Sequence, residues 1–163
     1  MSVRPIITLP DEKILRAISK PLKCVDEYAR GVFDDMLETM YHAPGIGLAA
    51  IQIGVAQRML VVDLAKDGEA RKPLFVANPE IIWASDEISD YEEGCLSIPD
   101  FYEMVDRPKE IKFRYLDRKG EATELHAAGL TATVLQHEID QLNGVLFIDL
   151  ISRLKRERVI RSF

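Results

Sequence analysis

Hydrophobic positions change their period twice along this chain, and the changes mark out its elements. Between Asp26 and His42, the residues Tyr28, Val32, Met36, Leu37 and Met40 recur at spacings of three, four and one. This predicts an amphipathic helix with Asp26 as N-cap, ending before Pro44 and Gly45. A shorter helical turn is expected from Asp11 to Ile18, closed by Pro21. From Arg58 to Ile148 the signals are mostly those of strands. Met59 to Leu64 and Leu74 to Ala77 are apolar runs bounded by Asp67-Gly68 and by Asn78-Pro79, and Glu80 to Ser89 alternates imperfectly. Glu110 to Leu116 alternates cleanly and turns through Asp117 to Gly120 into Glu121 to His126, an expected hairpin. The helical period returns from Leu130 to Leu142, where Asn143-Gly144 supplies the αL-tolerant residues of a C-cap. Leu146 to Ile148 is expected to form one more short strand before a basic C-terminal helix. The fold class that follows is α+β, with helices at both ends around a largely antiparallel sheet.

Length and composition narrow this picture. A chain of 163 residues has the size of one domain, expected over 1–163, and can bury a continuous core without disulfides or a structural metal. No apolar run approaches a membrane span, and no basic stretch followed by an apolar one opens the chain, so a cytoplasmic protein without membrane association is expected. The formal net charge of -6 argues against a DNA binder built on a general positive field. Against that background Arg153, Lys155, Arg156, Arg158 and Arg161 crowd the C-terminus. They read either as a solvated last helix with cations near its C-terminal end, or as a contact for an acidic partner such as ribosomal RNA. Cys24 and Cys95 are taken as thiols.

The candidate chemistry centres on Gln136-His137-Glu138-Ile139-Asp140-Gln141. On a helix from Leu130 to Leu142, the residues Leu130, Thr133, Val134, His137 and Gln141 share one stripe, so His137 and Gln141 point the same way. An H-E-x-x-H helix uses that geometry to hold a metal between two imidazoles, with the Glu as general base. Here Gln141 stands in place of the second imidazole. Cys95, in Glu93-Gly94-Cys95-Leu96-Ser97, adds a thiol that only the fold could bring to His137. Taken alone, such a Cys is more often a small buried hydrophobe than a ligand. Thiolate, imidazole and a helical Glu together form the set of a hydrolytic metal site. The stretch from Pro44 to Gly54 is dense in small residues, and Gln52 is a polar amide at its apolar end. It lacks the third Gly of a dinucleotide fold and the Lys of a phosphate loop, so both nucleotide readings are set aside.

Three separated stretches, Gly45-Ile46-Gly47-Leu48-Ala49-Ala50-x-Gln52, Glu93 to Ser97, and Gln136-His137-Glu138-x-Asp140 with the Leu-x-Gly that follows, resemble the peptide deformylase family in order and separation. The resemblance implies a hydrolase that removes formate from the N-formyl-methionine of nascent proteins. It implies Cys95 and His137 as ligands of ferrous iron, with zinc, nickel or cobalt as substitutes, and Glu138 as the base for the attacking water. Gln52 and the backbone N–H of Leu96 match the oxyanion donors. Ile46, Leu130, Thr133 and Val134 match the lining of the methionine pocket, and Gly47, Glu93 and Gly94 border the bound formyl-methionyl peptide.

Two positions depart from the family pattern. The family has a second His where this chain has Gln141, a neutral oxygen ligand at best, so the ion is expected to be weakly bound or absent and activity reduced. Sharing a zinc-binding energy of about 10–16 kcal/mol among four ligands puts the loss at roughly two to three orders of magnitude in affinity. Ala128-Gly129 replaces the Asp-Gly that opens this helix in the family, which removes an N-cap worth about 1 kcal/mol. Of the other histidines, His126 lies about three turns from His137, too far to share its ion, and His42 ends the first long helix. The alternative to a weakened deformylase is an inactive homologue that binds methionyl N-termini, or the ribosome through its basic tail. A metalloprotease is disfavoured because nothing beyond Gly144 offers a His or Cys, although Asp149 is a carboxylate.

Overall fold

The computed structural model describes residues 2–163. Its central element is a five-stranded antiparallel sheet in the order β1 (Gly47–Ala49), β2 (Met59–Val62), β3 (Leu74–Ala84), β6 (Glu110–Leu116) and β7 (Ala122–Ala128). A separate two-stranded sheet is formed by β4 (Ile88–Cys95) and β5 (Ile98–Pro108). The α+β expectation holds, with the helices covering sheet faces as well as the chain ends. β2 shows why its sequence is apolar without alternation. Met59 and Val61 face α2 (Glu27–His42), where they pack with Val32, Phe33, Met36 and Met40. Leu60 and Val62 face α3 (Gly129–Leu142), where they pack with Ala132, Leu135, Ile139 and Leu142. A strand buried on both faces has no polar side to show.

The helix signals are obeyed closely. Asp26 caps α2, its side chain accepting from the Ala29 N–H at 2.9 Å. Ala128 makes no side-chain cap on α3, as its composition requires, and Gly129 carries the positive φ of the entry turn. At the other end Gly144, with φ 76°, closes the helix against the backbone of Arg16. α1 (Glu12–Leu15) is shorter than its sequence signal, and α4 (Arg153–Arg161) forms the basic tail.

Two strand assignments are corrected. Asn78-Pro79 is an irregularity inside β3, where the pairing with β6 shifts between Ala77 and Glu80, and not a boundary between two strands. Asn78 takes a left-handed φ of 50° there, and its amide bonds both the N–H and the carbonyl of Leu22, so the kink is held by a neighbouring segment. Leu146 to Ile148 is not a strand: a 3₁₀ turn spans Phe147–Leu150. Asp149 accepts from the Leu146 N–H and is itself held by Arg16, which satisfies locally the groups a strand would have paired.

α3 is the element both sheets share. One side packs on the five-stranded sheet and the other meets the β4–β5 hairpin, so α3 brings the late motif against the middle one. Among the described residues no helix is long and apolar enough to cross a membrane.

Candidate active site

Cys95 ends β4 at the tight turn into β5, and His137 projects from the middle of α3 beneath it. The imidazole is 8% exposed and lies within hydrogen-bonding reach of the Cys95 sulfur. Its Nδ1 is 2.9 Å from Glu93 Oε1, which as a carboxylate can only accept. Nδ1 therefore carries a proton, and Phe147 stacks on the ring at 5.7 Å. Glu93 is held in turn by Arg107 of β5, whose Nε and Nη2 donate to its two oxygens at 2.7 and 3.0 Å.

Gln52 sits in the 3₁₀ turn Ala50–Ile53 and is 1% exposed. Its Oε1 accepts from the Ala49 N–H at 2.9 Å, and its Nε2 donates to Ser97 Oγ at 3.0 Å and lies 3.6 Å from Cys95 Sγ. Because the oxygen is committed to a backbone donor, the N–H side of the amide faces the sulfur. Gln141 is fully buried one turn beyond His137, and its Nε2 lies 3.5 Å from the same sulfur.

Glu138 completes the group. It is 2% exposed, Oε1 has no hydrogen-bond partner among the described residues, and His137 Nε2 lies 3.9 Å away. Burial, reinforced by the charge of Glu93 and opposed by His137 and Arg107, pushes its carboxyl up to about 7. Burial acts the other way on His137, yet the bonds to Cys95 and Glu93 and the charge of Glu138 hold it up to about 10. For Glu93, burial would raise the carboxyl, but bonds from His137 and Arg107 keep it below the ordinary range.

A cleft of about 790 Å³ opens over these residues. Ile46, Gly47, Gln52, Glu93, Gly94, Cys95, Leu96, Leu130, Thr133, Val134, His137 and Glu138 all border it, so the site residues that the resemblance implies line one cavity, and Gln141 does not. Gln141 lies beneath the sulfur. His126 pairs with Glu110 on the outer sheet face, and His42 is exposed at the end of α2.

Family matching now agrees with this geometry: the polypeptide deformylase model covers residues 3–157. The chain belongs to the polypeptide deformylase family. It is 60% identical to a peptide deformylase of Methylocella silvestris, the match spanning all of this chain and 84% of that protein. To one of Rhizobium meliloti it is 58% identical, over all of this chain and 93% of that protein. The crystal structure of peptide deformylase from Ehrlichia chaffeensis in complex with actinonin superposes with a TM-score of 0.93 at 40% identity, covering 99% of this chain and 96% of that one. Deformylases use a catalytic metal, typically ferrous iron, and act on formyl-methionyl peptides.

Lone pairs decide whether the donor set here suits such an ion. Glu93 holds Nδ1, so Nε2 is the His137 nitrogen that offers a lone pair to an ion once its proton is displaced; Glu138 Oε1 and Gln141 Oε1 are buried with no hydrogen-bond partner among the described residues, and Cys95 supplies sulfur. A cation satisfies unpartnered acceptors, and sulfur with imidazole nitrogen are the ligand types of iron and zinc. Gln141 is the weak member, since its Nε2 and not its Oε1 faces the sulfur. Among the described residues no group of three or more His, Cys, Asp or Glu side chains is arranged to hold a metal ion.

Sequence reasoning passed over Arg107 and Ser97. The signal for Arg107 was present: it shares a strand face with Val105, 1% exposed, and a cation on the inward face of a strand requires a buried carboxylate.

Proposed function

We propose that this chain hydrolyses the formyl group from N-formyl-methionyl N-termini of nascent polypeptides in the cytoplasm, on a metal site that Gln141 weakens. The observation that carries this reading is Glu138: a buried carboxyl poised near neutrality, one oxygen unpartnered, bordering the cleft beside His137.

Cys95, His137 and the Gln141 amide oxygen are the groups that would hold the metal, Fe²⁺ or in its place Zn²⁺, Ni²⁺ or Co²⁺. Once bound, the ion supplies Lewis acidity to the attacking water and the formyl oxygen. Everything else is the work of this chain's own residues. Ile46, Leu130, Thr133 and Val134 take the methionine side chain, and Gly47, Glu93 and Gly94 border the peptide. Glu138 accepts the proton of the attacking water and returns it to the departing nitrogen, a task suited to a carboxyl near 7. Gln52 Nε2 and the Leu96 N–H hold the oxyanion, and the amide of Gln52 needs no reorientation to do so.

The test is formate release from a formyl-methionyl peptide by protein purified anaerobically and supplied with Fe²⁺ or Co²⁺. Turnover that depends on added metal supports the reading. Absence of turnover at saturating metal overturns it and leaves a homologue that binds methionyl N-termini. A contact of α4 with ribosomal RNA belongs to either outcome. Its support is that Arg156, Arg158 and Arg161 have no carboxylate partner among the described residues, whereas Arg153 and Lys155 are paired with Glu157 and Glu103.

A further inference from the structure

The β4–β5 hairpin that carries Cys95 shares no strand pairing with the five-stranded sheet, so its distance from the helix carrying His137 is set by side chains. Its apolar contacts are Ile98 and Val105 against Leu146, Phe147 and Ile148, all beyond the end of α3. Polar side chains of α3 reach it at three places, Gln136 Nε2 donating to the Pro108 carbonyl at 2.9 Å, His137 to Glu93 and Gln141 to Cys95. Among the described residues the one charged contact from the hairpin back to the helix is Arg107. This residue is 4% exposed and spends all three guanidinium nitrogens on two carboxylates: Nε and Nη2 on Glu93 of β4, and Nη1 on Asp140 of α3 at 2.7 Å. Asp140 stands one turn after His137, and Glu93 Oε1 accepts from both Arg107 Nη2 and His137 Nδ1. One cation thus ties β5 to β4 through Glu93 and the hairpin to α3 through Asp140, and it fixes the carboxylate that orients the imidazole.

We propose that Arg107 is a positioning residue for the metal-holding pair: through Glu93 it pins His137 Nδ1–H, and through Asp140 it holds α3 against β5 and so against the hairpin, so that His137 is presented to Cys95. Arg107 does not border the cleft and touches no reacting atom. The role needs arginine, because its planar fork reaches two carboxylates at once, whereas lysine is a single point donor. The inference rests on reading Cys95 and His137 as the metal-holding residues.

The experiment compares wild type, Arg107→Lys and Asp140→Asn. Co²⁺ affinity is measured by chelator competition and by the sulfur-to-cobalt absorption band, with kcat and KM on a formyl-methionyl peptide and the melting temperature of each protein. Loss of a group that orients a metal ligand lowers affinity about 10–100-fold. Arg107→Lys is expected to lose that much Co²⁺ affinity and to lower kcat while leaving KM within about twofold, with Asp140→Asn intermediate. A residue that only stabilises the fold would lower the melting temperature and leave the affinity of the folded protein unchanged, which overturns the proposal. If wild type takes up no Co²⁺, the reading of the site fails separately. The proposal is then decided on chelator-treated, ¹⁵N-histidine-labelled protein: the His137 Nδ1–H resonance is expected in wild type and shifted or lost in Arg107→Lys, and an unchanged resonance overturns it.

Discussion

Gln141 Nε2 lies 3.5 Å from Cys95 Sγ, so the residue in place of the family's second imidazole turns a donor, not a lone pair, toward the sulfur. Its oxygen is left buried without a partner. To ligate an ion the amide must turn over, which brings the oxygen to the sulfur side and leaves the nitrogen where the oxygen was. The orientation present strands that buried oxygen, at about 1–3 kcal/mol, and holds the amide ready as a donor and not as a ligand. Anaerobically purified protein is therefore expected to hold well under one iron or zinc per chain, and elemental analysis showing full occupancy contradicts this.

Replacing Gln141→His restores a nitrogen ligand at a position already facing Cys95. Metal affinity is expected to rise by about two to three orders of magnitude, and formate release with it. Chelator competition and a turnover assay check the two separately. Restored binding without restored turnover would locate a second defect elsewhere in the site.

Glu138→Gln removes the proton carrier but none of the metal-holding groups. Turnover is expected to fall by about 10²–10⁴-fold with metal content unchanged. A loss of metal in step with activity would mean that Glu138 holds the ion instead of moving protons.

Gly47 faces the base directly, since a methyl group built there would sit 3.0 Å from Glu138 Oε2 and 3.1 Å from Val134 Cγ1. The Gly47→Ala variant is expected to displace the Glu138 carboxylate and to lower kcat more than it raises KM. An unchanged kcat would show that the carboxylate has room to work from a second position.

Protein stripped of metal by a chelator should lose stability as pH rises. Glu138, at about 7, and His137, at about 10, both bind protons more tightly folded than unfolded. Their contributions are complete below the ordinary values of 4.5 and 6.5, and are lost as pH passes through about 7 and about 10. Glu93, Asp35 and Asp63 are shifted downward, so their contributions are lost only on acidification and do not oppose the trend in this window. Urea midpoints at about pH 5.5, 7.5 and 9 are expected to decline in that order. A midpoint that rises across the series contradicts the assignment.

Local order along the chain was largely legible. The periods of α2 and α3, the Asp26 cap, the β6–β7 hairpin and the closing Gly144 follow from side-chain pattern and backbone permissiveness, which act within a few residues. So did the membership of the cleft, because three motifs kept their family order. The 3₁₀ turn at Phe147 and the continuity of β3 through Asn78-Pro79 were not legible, since each depends on a distant partner, Arg16 for one and Leu22 for the other. The same holds at the site. Sequence alone determined that a thiol, an imidazole, a carboxyl and two amides were available, and that Gln141 shares the His137 face. Tertiary structure decided that a hairpin outside the main sheet meets α3 through Arg107, and which atom of each amide faces the sulfur. Those outcomes are set by long-range burial and by competition for hydrogen bonds, and no run of neighbouring residues encodes them.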